Sequence, residues 1–253
     1  MGERMDSARI KKANLDLISH FPVTYQSMGW YFSSVDPEDA IKLPTDIWAC
    51  MFKYIDNVAK GYKICFSENS VGCAGASCYF GFSQPSENAG DFLASKEKFK
   101  EKVAYGNVFY HQIKAKGPRK KYLILSNIEQ IEDDIYIEVV NFWVKPLSLS
   151  GLVTLSNFDS PENNNVNIPF ASGCQSMWTI PYKEKDKKYP KATIGALDPA
   201  MRKYIAPDTI LFSVPANRFL KMAENIKHSF AHENNWLDLI KHDSRYSRKI
   251  ITL

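Results

Sequence analysis

The stretch VGCAGASCYFGF, residues 71–82, places two thiols among glycine and alanine residues. Gly72-Cys73 followed by small residues predicts that a helix begins at this cysteine. The first turn of a helix has free N–H groups and a partial positive charge, which stabilise a thiolate. Gly72 and Gly75 would let a ligand approach the backbone. The helix dipole lowers a cysteine pKa only from about 8.5 to about 7.8, so a second positive group is needed.

A second Gly-Cys pair, Gly173-Cys174, begins the SGCQSMW segment about a hundred residues downstream. Arg202, in the first turn after the helix start at Asp198, is a candidate for the positive group, because its planar guanidinium would receive a carboxylate or phosphate. The alternative is an Asp198–Arg202 pair within one helix, which would add a few tenths of a kcal/mol. We expect the two Gly-Cys thiols to meet in a pocket that solvent can enter.

The remaining cysteines leave two interpretations open. Cys65, Cys73 and Cys78, with Cys174, could supply four sulfurs to zinc or to an iron–sulfur cluster. However, Cys73 and Cys78 would point about 140° apart on a regular helix. Packing of Cys65 and Cys78 as small core residues is the alternative.

Composition limits the class of protein. Of the 253 residues, 45% are apolar and 24% are charged, and the net charge is +4, as in an ordinary globular protein. The small net charge argues against a nucleic-acid partner. The absence of a secretory signal and of a long apolar run predicts a cytoplasmic protein without a membrane partner. Five cysteines in a reducing compartment are then expected to be thiols or metal ligands.

The elements that must position these residues follow from the apolar pattern. A helix is predicted from Thr45, with Gly61 just past its end, and a second over 96–105. Aromatic and β-branched residues over 122–126 and 135–144 predict buried strands, and Pro146 begins a helix. Further strands are predicted over 166–170, 193–196 and 209–214, with helices at Asp198-Pro199, at Pro215 and from Trp236 onward.

These elements predict a mixed α/β fold, a central, largely buried sheet flanked by helices. The chain is expected to form a single domain over 1–253, in which residues 1–44 are an N-terminal extension. The two Gly-Cys segments raise the hypothesis of two related halves, about 45–120 and 121–230.

The order of several segments resembles the uncharacterised ArCR family, domain-of-unknown-function family 169, over roughly residues 45–225. The segments that carry the resemblance are, in chain order, Cys50 before Ala59-x-Gly61, Cys73-Ala-Gly-Ala, Gly81-Phe82, VVNFWVKPLSLSGLV, SGCQS, Gly195-x-x-Asp198 with Arg202, and residues 207–215. The resemblance implies no particular activity. It does imply that Cys50, Cys73 and Cys174 belong to the family pattern, whereas Cys65 and Cys78 are incidental.

Two functional hypotheses result. In the first, Cys73 and Cys174 form a small-ligand or metal site for redox or transferase chemistry, with Cys50 as a third thiol of a zinc or iron–sulfur centre. Gly72, Gly75 and Gly173 allow close approach of the backbone, and Arg202 neutralises an anionic partner. In the second, the cysteines are packed, and the protein is a ligand-sensing or assembly module, with homo-oligomer contacts formed by tyrosines. The sequence does not decide whether the protein is an enzyme.

Overall fold

The centre of the fold is a mixed β-sheet. The computed structural model describes residues 6–232 except 45, 47, 84–94, 96–97, 99–119, 163 and 170–171. Within these residues the sheet has eight strands: β1 Val23–Ser33, β2 Ile41–Lys42, β3 Ile64–Phe66, β4 Tyr122–Asn127, β5 Ile137–Val144, β6 Val166–Asn167, β7 Ala192–Gly195 and β8 Ile210–Pro215. Their order is β2-β3-β4-β1-β5-β8-β7-β6. The predicted α/β class is confirmed.

The strand order is the same when it is traced from either edge. From one edge inward, the first four strands of the chain are in the order β2-β3-β4-β1. From the opposite edge inward, the last four strands are in the order β6-β7-β8-β5, which is the same order with each number raised by four. The outermost pair in each group is parallel, and the remaining neighbours are antiparallel. The two groups therefore share one connectivity and meet at the β1–β5 pair. This division falls between β4 and β5, and β1 lies outside the hypothesised half 45–120; a duplication stays a prediction.

Helices cover both faces of the sheet. They are α1 Ser7–His20, α2 Ile55–Ala59, α3 Ala74–Phe80, α4 Pro146–Asn157, α5 Ile180–Glu184, α6 Pro199–Arg202 and α7 Ala216–Asn225. The apolar residues of α1, α4 and α7 belong to one buried cluster, and those of α2, α3 and α5 belong to the other. Alternate residues of a strand point to opposite faces, so each central strand contributes to both clusters. All three cysteines of the family pattern pack in the second cluster, whose side of the sheet we call the thiol face.

The thiol face has an aromatic core. The Trp30 ring lies 5.5 Å from the rings of Phe80 and Trp178, and the Trp178 ring stacks on Tyr182 at 4.4 Å between centroids. These rings come from β1, α3 and the helical segment that begins near Cys174. Each buried aromatic side chain removes a large apolar area from water. The aromatic core therefore fixes the helices of the thiol face on the sheet.

A π-helix, Gln175–Thr179, leads into α5. Its Met177 carbonyl accepts a hydrogen bond from Asn141 Nδ2 at 3.0 Å, and the same amide group donates to Ser213 Oγ at 2.9 Å. Asn141 Oδ1 accepts from Trp30 Nε1 at 2.6 Å. Asn141 is fully buried. A wide helical turn frees carbonyls from the α-helical pattern, and this side chain satisfies one of them.

The helix predicted from Thr45 is wrong in its first half. Thr45 and Ile47 lie outside the described residues, residues 48–50 are not helical, and a 3₁₀ turn begins only at Met51 before α2. The reason is a backbone contact: Ala49 N donates to Gly72 O at 2.6 Å, which holds this segment extended. The predicted end is confirmed, since Gly61 has a φ of +102° just past α2.

The other predicted elements had mixed outcomes. The strands at 122–126, 135–144, 193–196 and 209–214 and the helices at Pro146, Asp198-Pro199 and Pro215 are confirmed, with small shifts at their ends. The strand predicted over 166–170 ends at Asn167, since Ile168 is exposed and Pro169 has no N–H to donate. The predicted helices over 96–105 and after Trp236 lie outside the described residues, apart from the isolated Lys98.

Candidate thiol centre

Each cysteine of the family pattern lies at the start of a helical segment. Cys73 is the N-cap of α3, as predicted, and its Sγ accepts from Ala76 N at 3.3 Å. Cys50 is the extended residue before the 3₁₀ turn Met51–Tyr54, so the sequence-based placement of this thiol in mid-helix is wrong. Cys174 lies in the first turn that leads into the π-helix. Three remote segments therefore present a thiol in the same way.

Cys50 and Cys73 are neighbours because the residues before them are joined. Gly72 has a φ of +76°, and a Cβ at this position would lie 2.3 Å from Ala49 O. No other residue fits the left-handed conformation and the contact at once. The close approach expected at Gly72 is thus made by the Ala49 backbone. Both thiols that follow this junction are partly exposed.

Gly173 and Gly75 differ in their surroundings. A Cβ on Gly173 would lie 2.1 Å from Met201 Sδ and 2.3 Å from Phe52 Cζ, so the absence of a side chain lets α6 and the 3₁₀ turn pack against this residue. A Cβ on Gly75 would have its nearest neighbour at 3.5 Å and would lie 4.0 Å from Cys73 Sγ. Gly75 therefore has room for a methyl group in ordinary contact with its neighbours, whereas Gly173 has none.

The three thiols influence one another electrostatically. Burial raises the pKa of Cys174 well above its usual value, and the charges of Cys73, Cys50 and Asp198 raise it further. Burial also raises the pKa of Cys50; a hydrogen bond from the Phe52 N–H opposes this, and Cys73 and Asp198 add to it. Negative charges on Cys73 and Asp198 thus disfavour ionisation of both Cys50 and Cys174. The fold has brought Cys50, Cys73, Cys174 and Asp198 together, and we call this group the thiol centre.

Asp198 is the member that the cysteine pattern did not identify. It is the N-cap of α6, its Oδ1 accepts from Ala200 N at 2.9 Å, and it is 8% exposed. Burial raises its pKa, opposed by the Ala200 hydrogen bond. The Asp-Pro helix start predicted the cap. No feature of the sequence placed its carboxylate beside the thiols.

Arg202 faces away from Asp198. Its guanidinium donates to Thr209 O at 2.7 Å and to the carbonyls of Ala206 at 3.1 Å and Pro207 at 2.8 Å. These bonds hold the loop between α6 and β8. The Asp198–Arg202 pair within one helix, considered from the sequence, is therefore not formed, and an anion at Arg202 would have to compete with three carbonyls.

The border of the thiol centre includes exposed apolar side chains. Trp48 is 64% exposed two residues before Cys50, and Leu197 is 48% exposed beside Asp198. Lys53 Nζ lies 5.7 Å from the Trp48 ring centroid. Ala196, which precedes Leu197 in the chain, is buried and has a φ of +55°. This left-handed conformation costs energy in a residue with a side chain. Strain and exposed apolar surface next to a cluster of reactive groups are typical of a functional site.

The two incidental cysteines are core residues. Cys65 packs on the opposite face of the sheet and Cys78 packs within the aromatic core of the thiol face. Burial raises the pKa of each to about 11. Their packing agrees with the alternative derived from the spacing, and neither influences the thiols of the centre in the way that Cys50, Cys73 and Cys174 influence one another.

Among the described residues, no group of three His, Cys, Asp or Glu side chains is arranged to hold a single metal ion. In the same part of the chain, no helix is both long and apolar enough to cross a membrane.

Comparison with known proteins gives a family and no activity. No curated protein and no solved structure matches the chain. The model of one family, described as uncharacterised ArCR, matches residues 16–225, which include the thiol centre and all eight described strands. The chain therefore belongs to the uncharacterised ArCR family, domain-of-unknown-function family 169.

Proposed function

We propose that the thiol centre binds a thiophilic metal cofactor, and that this cofactor is an iron–sulfur cluster held by Cys50, Cys73 and Cys174. The observation that carries the proposal is the convergence of three thiols and a carboxylate from four separate segments, where the charges of neighbouring members raise the pKa values of Cys50 and Cys174. Packing alone would not require chemically reactive groups at all four positions.

The charges around the centre favour a positively charged ligand. Arg202 is bonded to carbonyls, and Lys53 makes the smallest of the contributions to the pKa of Cys50. Thiolates and a carboxylate in this setting need compensation by positive charge. A bound metal deprotonates a coordinating thiol outright, so its presence would reverse the raised pKa values.

A cluster fits the thiol centre better than a single zinc ion does. With Zn–S bonds of about 2.3 Å in a tetrahedron, zinc requires sulfurs roughly 3.8 Å apart. Such a group of three donors is not found among the described residues. A cluster of several iron and sulfide ions is larger and accepts thiolates that are further apart. Three cysteines would leave one iron of a four-iron cluster for Asp198 or an external ligand, and that open position would be the place for redox or transferase chemistry.

A non-catalytic sensing or assembly role is the second candidate. The exposed Trp48 and Leu197 beside the centre favour it, because apolar side chains at a surface are common in contacts between proteins. In that case the thiols would be packing groups, and the protein would form an oligomer or bind a partner through this border.

Anaerobic purification tests the cluster. The full-length protein is expected to be brown, with iron and acid-labile sulfide in stoichiometric amounts and a charge-transfer absorbance that reduction bleaches. Cys73→Ser should abolish the absorbance and keep the free energy of unfolding of the metal-free protein within about 1 kcal/mol of the wild type. Cys65→Ser is the matched control, since it removes a thiol from the opposite face of the sheet and should keep the iron.

Other results would decide against the proposal. If the protein contained stoichiometric zinc and no iron, the centre would be a site for a single zinc ion, and the thiols would take up tetrahedral geometry only when the ion binds. A colourless protein that takes up neither metal, even after anaerobic incubation with iron and sulfide, would favour the sensing or assembly role. Oligomerisation lost on Trp48→Ser would then support that role directly.

A further inference from the structure

A cavity of about 230 Å³ shares no lining residue with the thiol centre. It is enclosed by the end of α4, the loop after α5 and the start of α7. The charged and amide side chains of its lining are Asp159, Asn165, Lys188, Asn217, Arg218 and Lys221. At this volume it is smaller than the cavities of about 300–1,000 Å³ that take drug-sized ligands.

The charge of this cavity is positive. Its lining has three cationic side chains, Lys188, Arg218 and Lys221, and one carboxylate, Asp159, which leaves an excess of two positive charges. Asp159 is already engaged, because both of its oxygens accept from the Arg218 guanidinium, at 2.6 and 3.1 Å. This fork-to-fork pair fixes Arg218 in place.

The two lysines remain available to a ligand. Both are exposed. Lys188 has no ion-pair partner among the described residues and lies over the Tyr189 ring at 5.1 Å. Lys221 contacts Glu224 at 3.2 Å, with both side chains about half exposed, and such surface pairs contribute little.

Two buried polar atoms of the lining also lack partners. Arg218 is 6% exposed and Asn165 is 2% exposed. Arg218 Nε and Asn165 Oδ1 nevertheless make no hydrogen bond within the described part of the chain. Buried polar groups without partners are rare in native proteins, because such groups normally form hydrogen bonds with protein, a ligand or a bridging water.

The start of α7 adds a backbone contribution. Asn217 and Arg218 lie in the first turn of this ten-residue helix, whose N-cap is Pro215. Pro215 offers no side-chain cap. The Arg218 N–H donates to Asn217 Oδ1 at 2.9 Å, and the start of the helix keeps the partial positive charge of the helix dipole. Anions bind at such helix starts.

We propose that this cavity binds a small oxyanion, the phosphate or carboxylate group of a metabolite-sized molecule. Lys188 and Lys221 attract and contact the anion, the first turn of α7 faces it, and the Arg218–Asp159 pair holds the floor of the cavity rigid. The site is separate from the thiol centre and does not depend on a cofactor there.

Calorimetric titration of the full-length protein tests the site with inorganic phosphate, pyrophosphate and malonate as probes. At least one probe should bind with one-to-one saturation, more weakly as salt is raised, and comparison of phosphate with malonate identifies the preferred group. The double variant K188Q/K221Q should weaken that binding at least about tenfold, because two charges contact the anion. K12Q/K60Q, which removes two exposed lysines elsewhere, is the matched control and should bind as the wild type does.

Both double variants change only exposed side chains, so their thermal unfolding should match that of the wild type. The proposal is overturned if none of the three probes saturates, if K188Q/K221Q binds with unchanged affinity, or if the control loses binding to the same extent.

Discussion

Cys50 and Cys174 occupy equivalent positions in the two groups of four strands. Cys50 follows β2 and begins the helical segment that leads to β3, and Cys174 follows β6 and begins the one that leads to β7. Cys73, the N-cap after β3, corresponds in the same way to Asp198, the N-cap after β7. The thiol centre is thus built from two positions, each used once in each group.

This correspondence differs from the one that the sequence suggested. The repeated Gly-Cys dipeptides paired Cys73 with Cys174, whereas the connectivity pairs Cys174 with Cys50. The glycines explain the misleading similarity. Gly72 makes room for the Ala49 backbone, and Gly173 makes room for Met201 and Phe52, so the same dipeptide arose from two different packing needs.

Replacement of Gly173 by alanine should destabilise the protein. The new methyl group would lie within 2.1–2.6 Å of Met201 Sδ and the Phe52 ring, and such overpacking costs about 1–3 kcal/mol. Gly75→Ala is the control: it lies in α3 with no neighbour nearer than 3.5 Å, and it should stabilise by about 0.5–1 kcal/mol. Urea unfolding of both variants measures the difference. Equal stability of the two would contradict the packing described for Gly173.

Asp198→Asn should make Cys50 more reactive in the metal-free protein. The carboxylate raises the pKa of Cys50, so its removal lowers that pKa and moves the alkylation profile to lower pH. We expect the alkylation rate of Cys50 at neutral pH to rise about two- to fivefold, because more of the thiol is ionised. Asparagine is an equally good N-cap, so α6 should be retained.

Mass spectrometry of iodoacetamide-treated protein measures the rate at each cysteine. Asp208→Asn is the control, because Asp208 is exposed and pairs with Lys145. If the pH profile of Cys50 alkylation were unchanged in Asp198→Asn, the Asp198 carboxylate would not influence Cys50 and would not belong to the thiol centre.

Asn141→Leu should be strongly destabilising. The change leaves Trp30 Nε1, Met177 O and Ser213 Oγ without the partner they share, in a site with no access to water. A buried polar group left unpaired costs about 1–3 kcal/mol, so the combined loss should be on the order of 3 kcal/mol or more. Asn14→Leu, on α1, removes a single contact to Glu129 and should cost less. Thermal unfolding measures the stability of both variants. If Asn141→Leu were no less stable than Asn14→Leu, the hydrogen bonds of Asn141 would not be important for the fold.

The Lys185–Glu138 ion pair predicts a non-additive result. The two groups are 2.6 Å apart and their side chains are 9% and 4% exposed, and Lys185 Nζ also lies 4.0 Å from the Tyr182 ring centroid. Lys185→Met alone should cost about 3–5 kcal/mol, because Glu138 is left charged and buried. The double variant with Glu138→Leu should recover most of that loss. If the single and double variants were equally unstable, the buried charge would not be the cause.

Much of the architecture could be predicted from local pattern. The buried strands at 122–126 and 135–144, the helix at Pro146 and the caps at Cys73 and Asp198 depend on neighbouring residues, and all were confirmed. The start of the helix before Gly61 failed because the Ala49–Gly72 hydrogen bond joins segments that no local pattern connects. No local pattern pairs Lys185 with Glu138 either, because this buried partner lies 47 residues away.

The sequence by itself determined most of the helix starts, most of the buried strands and the family to which the chain belongs, because these follow from residues close together in the chain or from their order. Only the tertiary structure decided that Cys50, Cys73 and Cys174 lie near one another and near Asp198, that Arg202 faces the loop carbonyls, and that Arg218 lines a cationic cavity. Those are contacts between distant segments, and the strand order, set by pairing across the whole sheet, fixes them.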